Sequence, residues 1–569
     1  MANIVKPPCD EAIIRTTSSH EPCARDVRPW VLAATILGSS MAMIDGSVVN
    51  VALPVMQARL NATATQVQWV VESYALFLAA LILVGGSLGD NFGRRRIFAV
   101  GIALFGLASI WCGLSPNINQ LILARAIQGI GGALLVPGSL AIISAAFSQE
   151  QRGQAIGTWS GFTAITSALG PVLGGWLVEQ ASWRWIFFLN VPIALLVLGI
   201  VFLRVPESRN QAATGKLDWW GAFLVTVGLG SLVYGLLEAG HTSLSDLVAI
   251  IGLGMGLATL IVFVLVEKSQ RMPMMPLSLF GSGTFSGANL LTLLLYAALG
   301  GVLFFFPFNL IQVQGYSPTA AGGAFLPLIL LMFLLSRWSG GLVSRYGAKR
   351  PLIIGPSIAA VGFALFALPS IGGSYWTTFF PAIAVLGFGM SISVAPLTTT
   401  VMGAVKVEQA GTASGINNAV ARTASLLAIA VFSLIVSHAF NSALDTRLTQ
   451  LQIPPSVQQM LDPQRVKLAG AEIPPGLSEA VASVLKSAIA QSFVSSFRLV
   501  MLIASGLAIV SAIVAALMIK GDPKNKISSR VLDIWWKLIL RCPKSFVETR
   551  NFASLHLFHQ MSIEIIGCG

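Results

Sequence analysis

Long apolar stretches recur along almost the whole chain of 569 residues. A helix needs about 20 mostly apolar residues to cross the hydrocarbon core of a bilayer, and fourteen stretches meet that length. Only 10% of the residues are charged and 55% are hydrophobic, which excludes a soluble enzyme, a disordered chain and a protein with a single anchor. The sequence therefore predicts an all-α polytopic membrane protein. Its spans are expected to begin near Trp30, Val67, Ile97, Leu121, Ala155, Trp185, Trp219, Leu247, Gly287, Ala320, Leu352, Thr378, Ala419 and Val500.

The basic residues of the short linkers predict the orientation of the chain. Alternate linkers are rich in Lys and Arg, whereas the linkers between them carry only Arg59 and Arg184. Cytoplasmic loops carry an excess of basic residues, so we expect the basic linkers and both termini on the cytoplasmic side of a cell membrane. The net charge of +12 is interpreted as this topology signal, and no nucleic-acid partner is expected.

An internal repeat predicts the domain organisation. Two loops share the same spacing of glycines and bases, with Gly86, Gly93 and Arg95 in one and Gly340, Gly347 and Lys349 in the other. They follow the second and tenth spans, so a parallel repeat of six spans is expected, with two further spans between the halves. The predicted segments are a cytoplasmic tail 1–29, a six-helix bundle 30–203, a linker with two spans 204–283, a second bundle 284–519 with a partly helical extracytoplasmic loop 438–498, and a cytoplasmic tail 520–569.

The loop from Gly86 to Arg96 combines a tight turn with one acid and three bases. Glycine permits positive φ and close helix approach, and Asp90 can pair with a neighbouring base. This motif loop is interpreted either as a cytoplasmic latch that holds one conformation or as a plain topology anchor. Its candidate residues are Gly86, Asp90, Gly93, Arg94 and Arg95, with Gly347, Lys349 and Arg350 in the second half.

Two ionisable residues lie inside predicted spans. Asp45 lies near the middle of its apolar run, where a charged side chain costs roughly 2.5–3.5 kcal/mol or more unless it is paired or faces a cavity. It is interpreted as a proton site, a counter-ion for a cationic substrate or both, with a structural acid between helices as the alternative. Arg125 is expected to meet Asp45 or Glu72, with snorkelling to the interface as the alternative. Glu72 either lines the outward mouth or is a solvated interfacial acid.

Small residues and polar residues mark two other spans. A cluster in the fifth span can let helices approach closely and bend; it consists of Gly157, Gly170, Pro171, Gly174 and Gly175. Early in the thirteenth span, Asn417, Asn418 and Arg422 are interpreted as gate contacts or as residues of the cytoplasmic boundary.

No motif indicates catalysis or a cofactor. The chain has no Walker A loop, its five histidines are scattered, and no catalytic constellation is recognisable. We therefore expect no enzymatic activity, no bound cofactor and no use of ATP as the energy source.

These motifs resemble those of the major facilitator superfamily over roughly residues 30–519. Four stretches further resemble its fourteen-span drug:proton antiporter family of the EmrB/QacA type. The resemblance implies the major facilitator fold with 6+2+6 transmembrane helices. It also implies proton-coupled multidrug efflux by alternating access, with the proton gradient as the energy source. Thr166 departs from the usual glycine of the antiporter motif, and Ser344 stands where the first half has Asp90. The four stretches are 45–54, 125–132, 157–175 and 410–422.

The substrate that this resemblance implies is a lipophilic or cationic small molecule, in contact with membrane lipid. Two other functions stay open at this stage. One is a narrow-specificity exporter or uptake symporter of one metabolite, since fold alone does not decide function. The other is a membrane scaffold or sensor that uses the long loop and the tail. A bacterial cytoplasmic or inner membrane is the expected location. Whether a periplasmic adaptor and an outer-membrane channel act as partners is left open by the sequence.

Overall fold

The computed structural model describes residues 26–520 apart from 148, 209–217, 242–244, 271–272, 274 and 406–408. The two predicted tails therefore lie almost entirely outside the described residues. Within the described part all regular elements are helical, and twelve helices are long and apolar enough to cross a membrane. Two more helices stand where the fifth and eleventh spans are predicted. The all-α polytopic class and the 6+2+6 arrangement are thus confirmed.

Six spans form the first half of the molecule. Their N-termini are set by local side chains: Thr63 forms a capping box with Gln66, and Asn117 accepts a hydrogen bond from the backbone N–H of Gln120. The spans are α1 (Arg28–Arg59), α2 (Ala64–Phe92), α3 (Arg94–Leu114), α4 (Ile118–Ala146), α5 (Gln149–Gln180) and a sixth made of α6 (Trp185–Phe188) and α7 (Asn190–Arg204).

Two extra helices, α8 (Trp219–His241) and α9 (Leu247–Ser269), follow the first half and pack against each other. α8 also contacts α2, where Leu76 is buried against Leu229, Val233 and Leu237. α9 instead exposes many large apolar side chains. An exposed apolar surface on a membrane helix faces lipid, so α8 lies on the protein side of this pair and α9 on the lipid side.

The second half repeats the six-span pattern with more interruptions. Its spans are α10 (Gly283–Phe308), continued by a π-helix (Asn309–Val313); α11 (Pro318–Gly323) with α12 (Leu326–Gly340) and α13 (Leu342–Tyr346); α14 (Lys349–Leu365); α15 (Tyr375–Thr378) with α16 (Phe380–Gly403); α17 (Ala410–Gln450); and α19 (Glu479–Met518). A 3₁₀ turn, Leu277–Gly281, precedes α10. α10 packs on α17 and α19, and α14 packs on α16 and α19.

Both flanking helices extend into the segment 438–498, which the sequence predicts as a partly helical loop. α17 continues to Gln450 and α19 begins at Glu479. Buried Phe440 and Leu444 of α17 belong to the same apolar cluster as Leu485 and Ile489 of α19, so the two helices stabilise each other beyond the apolar runs. Between them lie α18 (Pro455–Leu461) and a 3₁₀ helix (Asp462–Gly470).

The two halves contact each other at the end of the bundle that carries residues 451–478, called here the long-loop end. The backbone N–H of Thr319 donates to Glu179 Oε2 across the halves at 3.2 Å. Gln57 Nε2 donates to the carbonyl of Lys467 at 3.2 Å, and Gln312 Nε2 donates to Gln57 Oε1 at 2.9 Å. The bond of Thr319 joins α11 to α5, and the two bonds of Gln57 join the last turn of α1 to the long loop and the π-helix.

Candidate functional site

Asp45 and Arg125 form a buried ion pair inside the first half. Arg125 Nη1 lies 2.5 Å from Asp45 Oδ2, and the two side chains are 1% and 0% exposed. α1 supplies the acid and α4 the base. Of the two partners expected for Arg125, the structure selects Asp45, and it excludes snorkelling of Arg125 to the interface.

Three neutral polar side chains complete this pair into one network. Gln128 Nε2 donates to Asp45 Oδ1 at 2.9 Å and to Ser109 Oγ at 2.8 Å. Asn190 Nδ2 lies 3.2 Å from Asp45 Oδ1 and 3.3 Å from Ser109 Oγ. All three are fully buried. Asp45 of α1 thus accepts hydrogen bonds from Gln128 of α4 and Asn190 of α7, and Ser109 of α3 lies within hydrogen-bond distance of the same two donors. Four helices therefore meet around one carboxylate.

The Arg125 guanidinium has further partners besides Asp45. Its Nε donates to the carbonyl of Val70 at 3.0 Å, and its Nη1 donates to Gln128 Oε1 at 2.6 Å. Its Cζ lies 4.2 Å from the centroid of the Tyr74 ring, close enough for a cation–π contact. The buried arginine thus meets a carboxylate, two amide-type acceptors and an aromatic face, and these contacts define its position.

Glu72 lies apart from this network. Its side chain is 0% exposed, and neither carboxylate oxygen has a hydrogen-bond partner among the described residues. In this structure the Glu72 side chain thus lies neither at an open mouth nor at a solvated interface. The apolar side chains of α2, α8 and α17 enclose the helix face that carries it, which the sequence of α2 alone does not reveal.

The motif loop is fixed by an acid that the sequence analysis does not identify. Asp90 pairs with Arg94, with Nη2 at 2.8 Å from Oδ1. Glu207, after α7, accepts hydrogen bonds from the backbone N–H groups of Arg95 at 2.9 Å and Arg96 at 3.3 Å. These groups begin α3, and a carboxylate at a helix N-terminus is favourable for both hydrogen bonding and the helix dipole.

The repeated glycines of the two loops have the same backbone role. Gly93 ends α2 with φ +110°, and Gly347 ends α13 with φ +75°, both in a region that favours glycine. Lys349 and Arg350 then begin α14, as Arg94 begins α3. Gly86 needs no such freedom, because a Cβ there would make only an ordinary contact at 3.6 Å with Pro137.

The small residues of α5 allow two close helix contacts. A Cβ on Gly170 would clash with Ser47, and one on Gly174 would clash with Val48, both on α1. At the long-loop end, a Cβ on Gly175 would clash with the carbonyl of Pro318, and a Cβ on Gly322 would clash with the carbonyl of Pro171. The cluster therefore joins α5 to α1 within the first half and to α11 of the second half.

The stretch 157–175 of α5 contains two further positions, Gly157 and Thr166. The surroundings of Gly157 lie outside the described residues. Thr166, which replaces the usual glycine, donates from its hydroxyl to Ser40 Oγ at 3.0 Å and so adds a polar contact between α5 and α1.

The three candidate gate residues have different surroundings. Asn417 Nδ2 donates to Asn289 Oδ1 at 3.1 Å and to Thr292 Oγ1 at 2.7 Å, which joins α17 to α10. Asn418 is exposed and bonds only within its own helix, to the carbonyl of Ser414. Arg422 Nε is buried without a hydrogen-bond partner in the described part of the chain. The structure does not bring the three into one contact.

No group of three or more His, Cys, Asp or Glu side chains among the described residues is arranged to hold a metal ion. The one cysteine there, Cys112, is buried, with Sγ 3.8 Å from Gln128 Oε1 at the edge of the Asp45 network. The site therefore consists of one acid, one base and neutral amide and hydroxyl groups.

Two repeated six-helix halves, with an ion pair buried in one of them, define a polytopic membrane protein of the transporter type. A family model described as Major Facilitator Superfamily matches residues 35–429. The fold of this chain is similar to that of a bacterial homologue of the human lysosomal transporter Spinster in an inward-facing, occupied conformation. The TM-score is 0.59 at 17% sequence identity, and the match covers 89% of this chain and 100% of that chain.

Relatives in sequence agree with the fold. The chain is 35% identical to multidrug resistance protein Stp of Mycobacterium tuberculosis, over 75% of this chain and 79% of that one. It is 31% identical to the tetracenomycin C resistance and export protein of Streptomyces glaucescens, over 88% and 93%. The chain belongs to the major facilitator superfamily, which confirms the family that its motifs resemble.

Proposed function

We propose that this chain is a proton-coupled multidrug efflux antiporter of the drug:proton antiporter (EmrB/QacA) type, working by alternating access. It would reside in a bacterial cytoplasmic membrane with both termini inside and export lipophilic or cationic compounds. The names of its relatives support export of toxic small molecules. The buried Asp45–Arg125 pair is the observation that carries proton coupling, because it is an acid–base pair within a membrane span.

Protonation of Asp45 would disturb the pair that joins α1 to α4. The neutral acid no longer balances Arg125, which would keep the Gln128 amide oxygen, the Val70 carbonyl and the rings of Tyr74 and Phe187 as neutral partners. Removing one partner of a buried ion pair is strongly destabilising. The protonated state therefore favours a different position of α1, in which Arg125 gains other partners or water.

α1 can transmit this change to the contact between the halves. It packs tightly on α5 through Gly170 and Gly174, and α5 in turn meets α11 through Gly175 at the long-loop end. A shift of α1 must move α5 or open that packing, since packed helices are not continuously deformable. One proton moving down a potential of 100 mV supplies about 2.3 kcal/mol, which is enough to bias two states of similar free energy.

The test is proton flux in proteoliposomes that contain only this chain, under an imposed pH gradient. Lipophilic cations are added in turn, and wild type is compared with Asp45→Asn. We expect substrate-evoked proton movement in the wild type and none in the variant. Asp246→Asn is the matched control, because Asp246 only caps the N-terminus of α9 and asparagine caps equally well.

Each outcome separates the alternatives. Proton movement of wild-type size in Asp45→Asn would exclude Asp45 as the coupling residue. A folded wild type that responds to no cation in the panel would indicate a narrow-specificity exporter or an uptake symporter. Coupled transport by the reconstituted chain would also show that transport across this one membrane needs no periplasmic adaptor and no outer-membrane channel.

A further inference from the structure

We infer that Glu72 is a second proton-binding site, whose carboxyl group must be neutral before the long-loop end can close. The inference deepens the proposed function, because it rests on alternating access, but it does not involve Asp45. Glu72 is 0% exposed, and neither of its carboxyl oxygens has a hydrogen-bond partner in the described part of the chain. It thus differs from Asp45, whose charge Arg125 balances.

The surroundings of Glu72 favour the neutral acid. A buried carboxylate without a counter-ion or hydrogen bonds is strongly unfavourable, and such a group takes up a proton instead. Among the described groups, burial alone acts on this carboxyl, with no charge close enough to offset it. The conformation with a closed long-loop end therefore holds a proton on Glu72.

The charged side chains of the neighbouring elements are engaged elsewhere or do not bond to Glu72. Arg125 pairs with Asp45, and Arg465 pairs with two aspartates of its own region. The described titratable side chains on the stretches around Glu72 are Tyr74 of α2, Arg125 of α4, Tyr234 and Glu238 of α8, Arg422 and His438 of α17, and Asp462, Arg465 and Lys467 of the 3₁₀ helix. None of them forms a hydrogen bond with Glu72.

The apolar enclosure of Glu72 is built from both halves of the molecule. Glu72 lies on the α2 face that carries Gln68 and Leu76, one helical turn away on either side. Leu76 belongs to the same apolar cluster as Leu426 and Ala430 of α17. Since α2 is part of the first half and α17 of the second, separation of the halves at the long-loop end would open this cluster. The carboxyl group would then meet water.

A polar cavity marks the side from which water would reach Glu72. The cavity lies at the long-loop end, has a volume of about 210 Å³ and is lined by Gln68, Ser433 and Asn441. Gln68 is one turn of α2 from Glu72. Opening of the long-loop end would therefore connect Glu72 to the aqueous phase on that side, which would also supply its proton.

The effect of pH on this switch has a defined sign. Glutamate in water is ionised at neutral pH, so the open conformation carries a charged Glu72 and the closed conformation binds one more proton. A conformation that binds more protons is favoured as the pH falls. The ratio of closed to open molecules should therefore decrease by up to about tenfold for each unit by which the pH rises.

The experiment measures the separation of the halves by electron paramagnetic resonance on the full chain in lipid nanodiscs. Spin labels are attached to Gln180→Cys and Ser374→Cys, two exposed positions at the long-loop end, after the five native cysteines are replaced by alanine. All proteins carry Asp45→Asn, so the proposed coupling residue cannot contribute. Raising the pH from about 6 to about 8 should lower the closed-to-open ratio of this parent at least tenfold.

Variants of Glu72 should remove this response. We expect Glu72→Gln and the apolar Glu72→Leu to stay closed at both pH values, because neither side chain can ionise. Glu479→Gln is the matched control, since this exposed acid begins α19 at the same end, and it should respond as the parent does. An equal pH response in the parent and both Glu72 variants, or no response in the parent, would overturn the switch.

Infrared spectroscopy tests the proton itself without any movement. Exposed carboxyl groups are ionised at about pH 6, so a protonated-carboxyl band at that pH reports buried acids. The band should lose intensity in Glu72→Gln and keep it in Glu479→Gln. An unchanged band in Glu72→Gln would overturn the neutral state of Glu72. Either negative result would leave proton coupling through Asp45 standing, because proton flux tests that coupling separately.

Discussion

The interiors of the two halves contain different chemistry. In the first half, Asp45 and Arg125 form an ion pair within a network of neutral polar groups. In the second half, fully buried Phe306 makes edge-to-face contacts with Phe325 and Phe366, at centroid distances of 5.4 and 5.0 Å. The contact of α10 with α17 there uses the neutral hydrogen bonds of Asn417.

We interpret this difference as a division between a first half that responds to protons and a second half that supports it structurally. A proton can change the charge of the network in the first half, whereas aromatic packing does not respond to protonation. Aromatic cores are close-packed and resist deformation. We therefore expect the second half to act as a rigid partner against which the first half changes position, and four predictions test this division.

The largest effect is expected from Arg125→Ala. It leaves the Asp45 carboxylate buried without a counter-ion, which costs about 3–5 kcal/mol of stability. Phe306→Ala is the matched control, because truncating a buried phenylalanine also costs about 3–5 kcal/mol. Thermal unfolding in detergent measures both losses, and proton flux per folded molecule measures coupling. We expect coupling to disappear in Arg125→Ala alone. Equal loss of coupling in Phe306→Ala would remove the proposed division between the halves.

A smaller effect is expected from Gly174→Ala in α5. The added methyl group would clash with Val48, so α5 must move away from α1, at a cost of roughly 1–3 kcal/mol. Gly46→Ala is the control, because nothing lies within 4 Å of a Cβ at that position. Transport rate and thermal stability should both fall for Gly174→Ala and stay unchanged for Gly46→Ala. An unchanged transport rate in Gly174→Ala would mean that α1 does not act through α5.

The third prediction concerns the motif loop of the first half. Glu207→Gln removes the charge that holds the N-terminus of α3, and since the side chain is 28% exposed we expect a loss of roughly 1 kcal/mol. Limited trypsin digestion after Arg95 and Arg96 should become faster. Glu479→Gln, in the first turn of α19, is the comparison that should leave this cleavage unchanged. A cleavage rate equal to that of the wild type would show that Glu207 does not stabilise the loop.

The fold could be predicted from the sequence because its signals, apolar run length and an internal repeat, extend over many residues. Apolar run length gives the spans, and the repeated glycines at Gly93 and Gly347 reveal the two halves before any contact is known. The sequence predicts a partly helical loop between the last two spans but not where α17 ends and α19 begins, since Phe440 and Ile489 are buried in one apolar cluster beyond the apolar runs.

Only the charged residues of the site could be predicted from the sequence. A charge within an apolar run requires a partner, which relates Asp45 to Arg125. Asn190 carries no such signal, because a neutral side chain in a membrane helix is common. Glu207 is far from its partners along the chain, and the isolation of Glu72 depends on how three helices pack. Such contacts are properties of the folded structure.

The smallest effect is expected from Asn417→Ala in the second half. Asn289 and Thr292 keep their own donor hydrogen bonds to the carbonyls of Phe285 and Ala288, so only two acceptor contacts are lost. Hydrogen bonds between membrane helices average about 0.6 kcal/mol, and thermal unfolding should report a loss of that order. Asn418→Ala, which removes an exposed bond within α17, is the control. Proton flux per folded molecule should equal that of the wild type in both variants. Loss of coupling in Asn417→Ala without loss of stability would place proton chemistry in the second half, because no structural damage could then account for it.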